Sequence, residues 1–119
     1  MILKIDVLGT KYKIRWVDYG EDAYMEKMGF CGYCGTERKE IVLIRLETMD
    51  EWAEEPKEII QKNQATTMRH EIIHAFFNES GLRQCSLTAE KWAMNEEMVD
   101  WIAIQFPKLL KAFKEAGCL

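Results

Sequence analysis

The chain has two histidines, His70 and His74, and both fall in one five-residue phrase, His70-Glu71-Ile72-Ile73-His74. Residues four apart on a helix lie one above the other on the same face, so both imidazoles can reach one metal ion. Glu71 sits one position round, where it can reach a water at that ion. Zinc takes neutral imidazole nitrogens at roughly 2.0–2.1 Å and keeps an open position when it does chemistry. The phrase H-E-x-x-H therefore supplies two ligands, His70 and His74, and a general base, Glu71.

A catalytic zinc takes a third protein ligand. Cys85 is the nearest soft donor, but it follows a helix stop and is expected to point away. Downstream, Asn95-Glu96-Glu97-Met98-Val99-Asp100 offers carboxylates. Glu96 and Asp100 are four apart and share a helix face. One can bind the metal while the other accepts the free ring N–H of a ligand histidine and fixes its tautomer. Glu97 stands beside Glu96 as a rival ligand, and spacing alone leaves both open.

These residues need two helices to position them. Residues 56–78 contain no glycine and no internal proline, and Pro56 suits a first helical turn. Ile59, Ile60, Ile73 and Phe77 mark one apolar stripe, and Met68, Ile72, Ala75 and Phe76 a second, so this helix is packed on more than one side. Asn78-Glu79-Ser80-Gly81 is a stop signal, with Gly81 suited to the left-handed position after the helix. Thr66 and Thr67, one turn before His70, suit tight packing near a site. A second helix is predicted from residue 89 to about 105, with Thr88 as N-cap and Glu90 at the positive end. Trp92 and Trp101 are expected to pack it on the first. Phe106-Pro107 is expected to end it. A last amphipathic segment with Leu109, Leu110 and Phe113 closes at Gly117.

The first half reads as strands. Residues 2–8 alternate, Gly9-Thr10 turns the chain, and residues 12–18 return as a hairpin. Residues 20–28 suit a short helical turn and residues 29–35 a loop or short strand. Residues 39–46 form the strongest strand signal, a continuous apolar run. The expected class is α+β, a small, mostly antiparallel sheet from the N-terminal half packed on helices from the C-terminal half.

Asn95-Glu96-x-x-x-Asp100, with Asn95 lying 21 residues beyond His74, resembles the N-E-x-x-x-D element of thermolysin-type (gluzincin) peptidases. The resemblance implies a zincin-like fold with one zinc ion, Glu96 as third ligand and Asp100 orienting His70. Residues 96–103 also resemble the acidic helix of the minimal ImmA/IrrE-type peptidases of phages and mobile elements. That likeness implies a regulatory protein such as a repressor as substrate. In zincins the strand before the active helix is an edge strand that pairs with an extended peptide. By position it would be residues 41–46. Thermolysin-type enzymes also steady the oxyanion with a histidine or tyrosine. No histidine is left here, so Tyr24, Tyr33, Arg69 and Arg83 are the candidates.

The expected function is a zinc-dependent metallopeptidase in which Glu71 takes a proton from the attacking water. A catalytically inert zinc-binding interaction module of a phage or mobile element is the alternative. A metal-free domain stands behind both.

Other features bound these readings. A length of 119 residues suits one domain, 1–119. The net charge of −4 argues against nucleic acid as a partner, leaving a peptide or protein substrate. No stretch approaches a membrane span, and no signal-peptide pattern opens the chain, so the expected compartment is the cytoplasm. Cys31-Gly32-Tyr33-Cys34 is a C-x-x-C motif, but a four-cysteine zinc site takes two of these. Reduced cysteines in a glycine-rich turn are expected. The Trp52 ring and the acidic cluster of residues 50–55 precede the first long helix, the acids as a solvated face.

Overall fold

A computed structural model describes residues 2–85 and 95–119, Cys85 by its backbone alone. The order is β1 (Ile2–Val7), β2 (Thr10–Val17), α1 (Ala23–Met28), β3 (Gly32–Gly35), β4 (Glu40–Ile44), two short 3₁₀ turns (Leu46–Thr48 and Asp50–Trp52), α2 (Lys57–Glu79), α3 (Leu82–Cys85) and α4 (Glu96–Glu115). The class is α+β, as expected from strands first and long helices last.

The hairpin forms one residue earlier than the Gly9-Thr10 signal suggests. Val7 pairs with Thr10, leaving Leu8 and Gly9 as the turn, at φ 51° and 91°. Two successive positive φ values match the right-handed twist of the strands, at a conformational cost to Leu8. α1 is short and capped at both ends: the Asp22 side chain accepts from the Met25 N–H, and Gly29 closes it at φ 70°.

The sheet is mixed. Its order is β1-β2-β4-β3, antiparallel at β1·β2 and β3·β4 and parallel at β2·β4. The parallel pair arises because β2 reaches β4 through α1 and β3 rather than through a hairpin. β4 is thus interior, which explains its continuous apolar run: Ile41, Val42, Leu43 and Ile44 are all buried. The expectation that residues 41–46 form the edge strand is corrected by this order. The edges are β1 and β3.

Strand alternation splits the core in two. Tyr12, Ile14, Ile41 and Leu43 face Met68, Ile72 and Ala75 of α2. Val17, Val42 and Ile44 face Met25 of α1, with Leu46, Met49, Trp52 and Ile60. Helices therefore do not lie on one face alone: α1 and the 3₁₀ turns cover the other. Trp52 is part of this second cluster. The acids at 50, 51, 54 and 55 are exposed, as a solvated face should be.

α2 is pinned at its C-terminal end by a polar network. Glu79 accepts from Thr10 Oγ1 (3.0 Å), Tyr12 Oη (2.7 Å) and Lys39 Nζ (2.7 Å). Buried Asn78 donates to Tyr12 Oη, and its own carbonyl accepts from Gln84. These bonds hold the end of the helix against the hairpin and the start of β4. Burial raises the Tyr12 hydroxyl, and its bond to Glu79 adds to that; Lys39 and then Tyr12 hold the Glu79 carboxyl down at about 2.

The second long helix departs from its predicted span. Its N-cap is Asn95, whose side chain accepts from the Met98 N–H, so a helix does not run unbroken through this point. Thr88 and Trp92 lie outside the described residues. α4 then continues through Phe106-Pro107 to Glu115 instead of stopping. Trp101 is 56% exposed, not the core residue expected. Among the described residues, no helix is long and apolar enough to cross a membrane.

Candidate metal centre

His70, Glu71 and His74 lie on α2 with their ligating atoms within 4.8 Å of one another. α4 crosses them in the opposite sense, so that rising numbers on α4 meet falling numbers on α2. Glu96 straddles the two imidazoles: Oε2 is 3.0 Å from His70 Nε2, and Oε1 is 3.1 Å from His74 Nε2. The two Nε2 atoms are themselves 3.1 Å apart. One turn further along α4, Asp100 Oδ1 accepts from His70 Nδ1 at 2.6 Å. The five residues singled out in the sequence, His70, Glu71, His74, Glu96 and Asp100, are thus together, with Glu96 rather than its neighbour Glu97 turned to both rings. Cys85 closes α3, and the direction of its side chain lies outside what is described.

The donor set can be tested for fit. When the ring is neutral and Nδ1 donates to Asp100, His70 Nε2 turns a bare lone pair toward a Glu96 oxygen 3.0 Å away. Two acceptors at that distance repel unless a cation or a proton lies between them. Burial holds His74 below its ordinary value, against the pull of Glu96, which disfavours an added proton there. Two nitrogens on one tetrahedral zinc lie roughly 3.3 Å apart, given bonds of 2.0–2.1 Å. The observed triangle of 3.0–3.1 Å is close to that size. The residues fit a small divalent cation.

Glu71 is 5% exposed, on the side of α2 that faces the sheet. Burial pushes its carboxyl up to about 7, with His70 opposing the rise and Glu96 and Asp100 adding to it. A group poised near neutrality beside a candidate metal site suits proton transfer.

The centre opens into a cleft of about 670 Å³ between α2, α4 and β3. Edge strand β3 forms its far wall, and Thr66 and Thr67 line the α2 side. Gly32 lets the strand come close to α2: a Cβ at this position would stand 3.0 Å from both Thr67 Cγ2 and Leu43 Cδ2.

The C-x-x-C motif lies in and beside this strand, not in a turn. Strand alternation sends Cys34 to the α2 side of the sheet and Cys31 with Tyr33 to the other. Both thiols are free. Burial, with the Glu71 charge adding, pushes Cys34 up to about 12, so it stays protonated and is a poor nucleophile and ligand.

The four candidate oxyanion donors separate. Tyr24, Tyr33 and Arg83 line the cleft. The Tyr33 hydroxyl donates to Asp22 (2.9 Å), and burial together with this bond raises it to about 12. Arg83 donates to Thr36 Oγ1 at 3.3 Å, and its charge helps to lower His74. Arg69 turns away to α4. Asp22 and Thr36, which hold two of these side chains, carried no signal in the sequence because both contacts join distant segments.

Comparison of the chain with protein-family models, with curated proteins and with solved structures returned no match.

Proposed function

We propose that this protein is a zinc-dependent peptidase of zincin type, with His70, His74 and Glu96 as ligands and Glu71 as general base. The observation that carries the reading is the convergence of His70 Nε2, His74 Nε2 and the Glu96 carboxylate at 3.0–3.1 Å, with His70 Nδ1 held by Asp100. Such a constellation offers a cation three donor atoms and is close in size to a zinc coordination sphere. A zinc ion held there supplies a Lewis acid for the scissile carbonyl and acidifies a water at its open position.

Glu71 takes a proton from the attacking water as oxygen bonds to the carbonyl carbon. It then passes that proton to the amine as the C–N bond breaks. Tyr24, Tyr33 and Arg83, which line the cleft, are the candidate donors to the developing oxyanion. The substrate is an extended peptide. It pairs with the outer edge of β3, which has no strand partner among the described residues and borders the cleft, in place of the interior β4.

The test is turnover of a mixed fluorogenic peptide library by zinc-loaded protein and by Glu71→Gln. Cleavage by the parent, falling by at least 100-fold in the variant while zinc is retained, supports the reading. Bound zinc with no cleavage by either protein would point to an inert zinc-binding interaction module instead.

A further inference from the structure

We infer that Arg69 is a positioning residue that sets the register of α4 against α2, and that Pro107 creates the acceptor it uses. A proline inside a helix has no N–H, so the carbonyl four residues earlier loses its helical donor. For Pro107 that carbonyl belongs to Ala103, and Ala103 is fully buried. A buried carbonyl left without a donor has lost its bond to water with nothing in exchange. Arg69 Nε donates to this oxygen at 2.6 Å, and a second guanidinium nitrogen bonds Thr66 Oγ1 at 3.2 Å, which braces the side chain on its own helix.

The place of this bond gives it a function. Glu96, Asp100 and Ala103 follow one another at helical spacing along one face of α4. Their partners on α2 are His74 and His70, then Arg69. The three links form one line along the helix interface. The first two join ligand to ligand and ligand to its orienting carboxylate; the third touches neither. Apolar attraction between helices is non-directional, whereas the Ala103 carbonyl is an acceptor at one fixed height. It became available because Pro107 stands four residues on. Arg69 bound there fixes where along α2 the carboxylates of Glu96 and Asp100 arrive.

This inference rests on the metal-centre reading for its purpose, and its test separates the two. The first readout needs no metal: the NMR signal of the His70 Nδ1 proton, held by Asp100, in zinc-free protein. The second is zinc affinity by competition with a chelating dye. Arg69→Ala is expected to lose the His70 proton signal to exchange and to weaken zinc binding 10- to 100-fold, the range seen when outer partners of metal ligands are removed. Pro107→Ala returns a backbone donor to Ala103. The double variant Arg69→Ala/Pro107→Ala should therefore regain thermal stability but neither the proton signal nor the affinity. It also provides the folded protein to measure if the single variant does not fold. A signal and affinity kept in Arg69→Ala, or both restored in the double variant, would overturn the inference. Parent protein that takes up no zinc would sink the metal-centre reading, while the proton signal would still decide the role of Arg69.

Discussion

His70 Nδ1 and Asp100 Oδ1 meet at 2.6 Å, joining α2 to α4 at the point where the second imidazole nitrogen turns toward Glu96 and His74. The bond does more than orient a ring. It decides which nitrogen carries the proton, and so which one is left to bind a metal. Replacing Asp100 by Asn keeps the shape but allows the amide to present its N–H instead, which favours the wrong tautomer. Asp100→Asn should weaken zinc binding 10- to 100-fold with little change in thermal midpoint of the zinc-free protein. Isothermal titration of zinc into both proteins checks this, and equal affinities would show that Asp100 is only a surface acid.

Glu71 makes zinc-free protein sensitive to alkali. Its carboxyl sits at about 7 in the fold against 4.5 ordinarily. The folded state therefore holds a proton that the unfolded chain has lost, and stability falls as pH rises from 4.5 through 7. The gap of about two and a half pH units corresponds to roughly 3 kcal/mol, at about 1.4 kcal/mol per unit. Glu71→Gln has no proton to lose. Urea unfolding of zinc-free protein at pH 5 and pH 8 should show the variant gaining on the parent by up to that amount at the higher pH. Parallel curves would contradict the burial of Glu71.

Glu79 has the opposite sign. Lys39, Tyr12 and Thr10 hold its carboxyl at about 2, below the ordinary 4.5. Its contribution is present above pH 4.5 and is lost as pH falls from there toward 2. Glu79→Gln should be less stable than the parent at pH 7 and should lose less on acidification to pH 3. Thermal melts at the two pH values check it. An equal acid loss in both proteins would show that the network at the end of α2 does not depend on the charge.

How much of this was legible follows from the range of each interaction. His70, Glu71, His74, Glu96 and Asp100 were readable because each pair lies within one helix and 3.6-residue periodicity sets the faces. The end of α2 was readable from Gly81, which takes φ 83°. The position of β4 was not. A continuous apolar run says that a strand is buried on both faces, and only the path through α1 and β3 puts it between β2 and β3. The same alternation that makes strands visible separates Cys31 from Cys34. Pro107 was read as a stop because the carbonyl it strands has no partner within its own helix. The partner is Arg69, 34 residues away. The place of β4 and the course of α4 through Pro107 are thus tertiary, while the separation of the two cysteines is local.

The central claim is a single zinc site with Glu96 as its third ligand, and the zinc content per chain by native mass spectrometry tests it most directly. Protein purified without added metal should carry one zinc, lost in Glu96→Ala and kept in Glu97→Ala, whose parent side chain is exposed beside the site. No zinc in the parent, and none taken up on addition, would contradict the account.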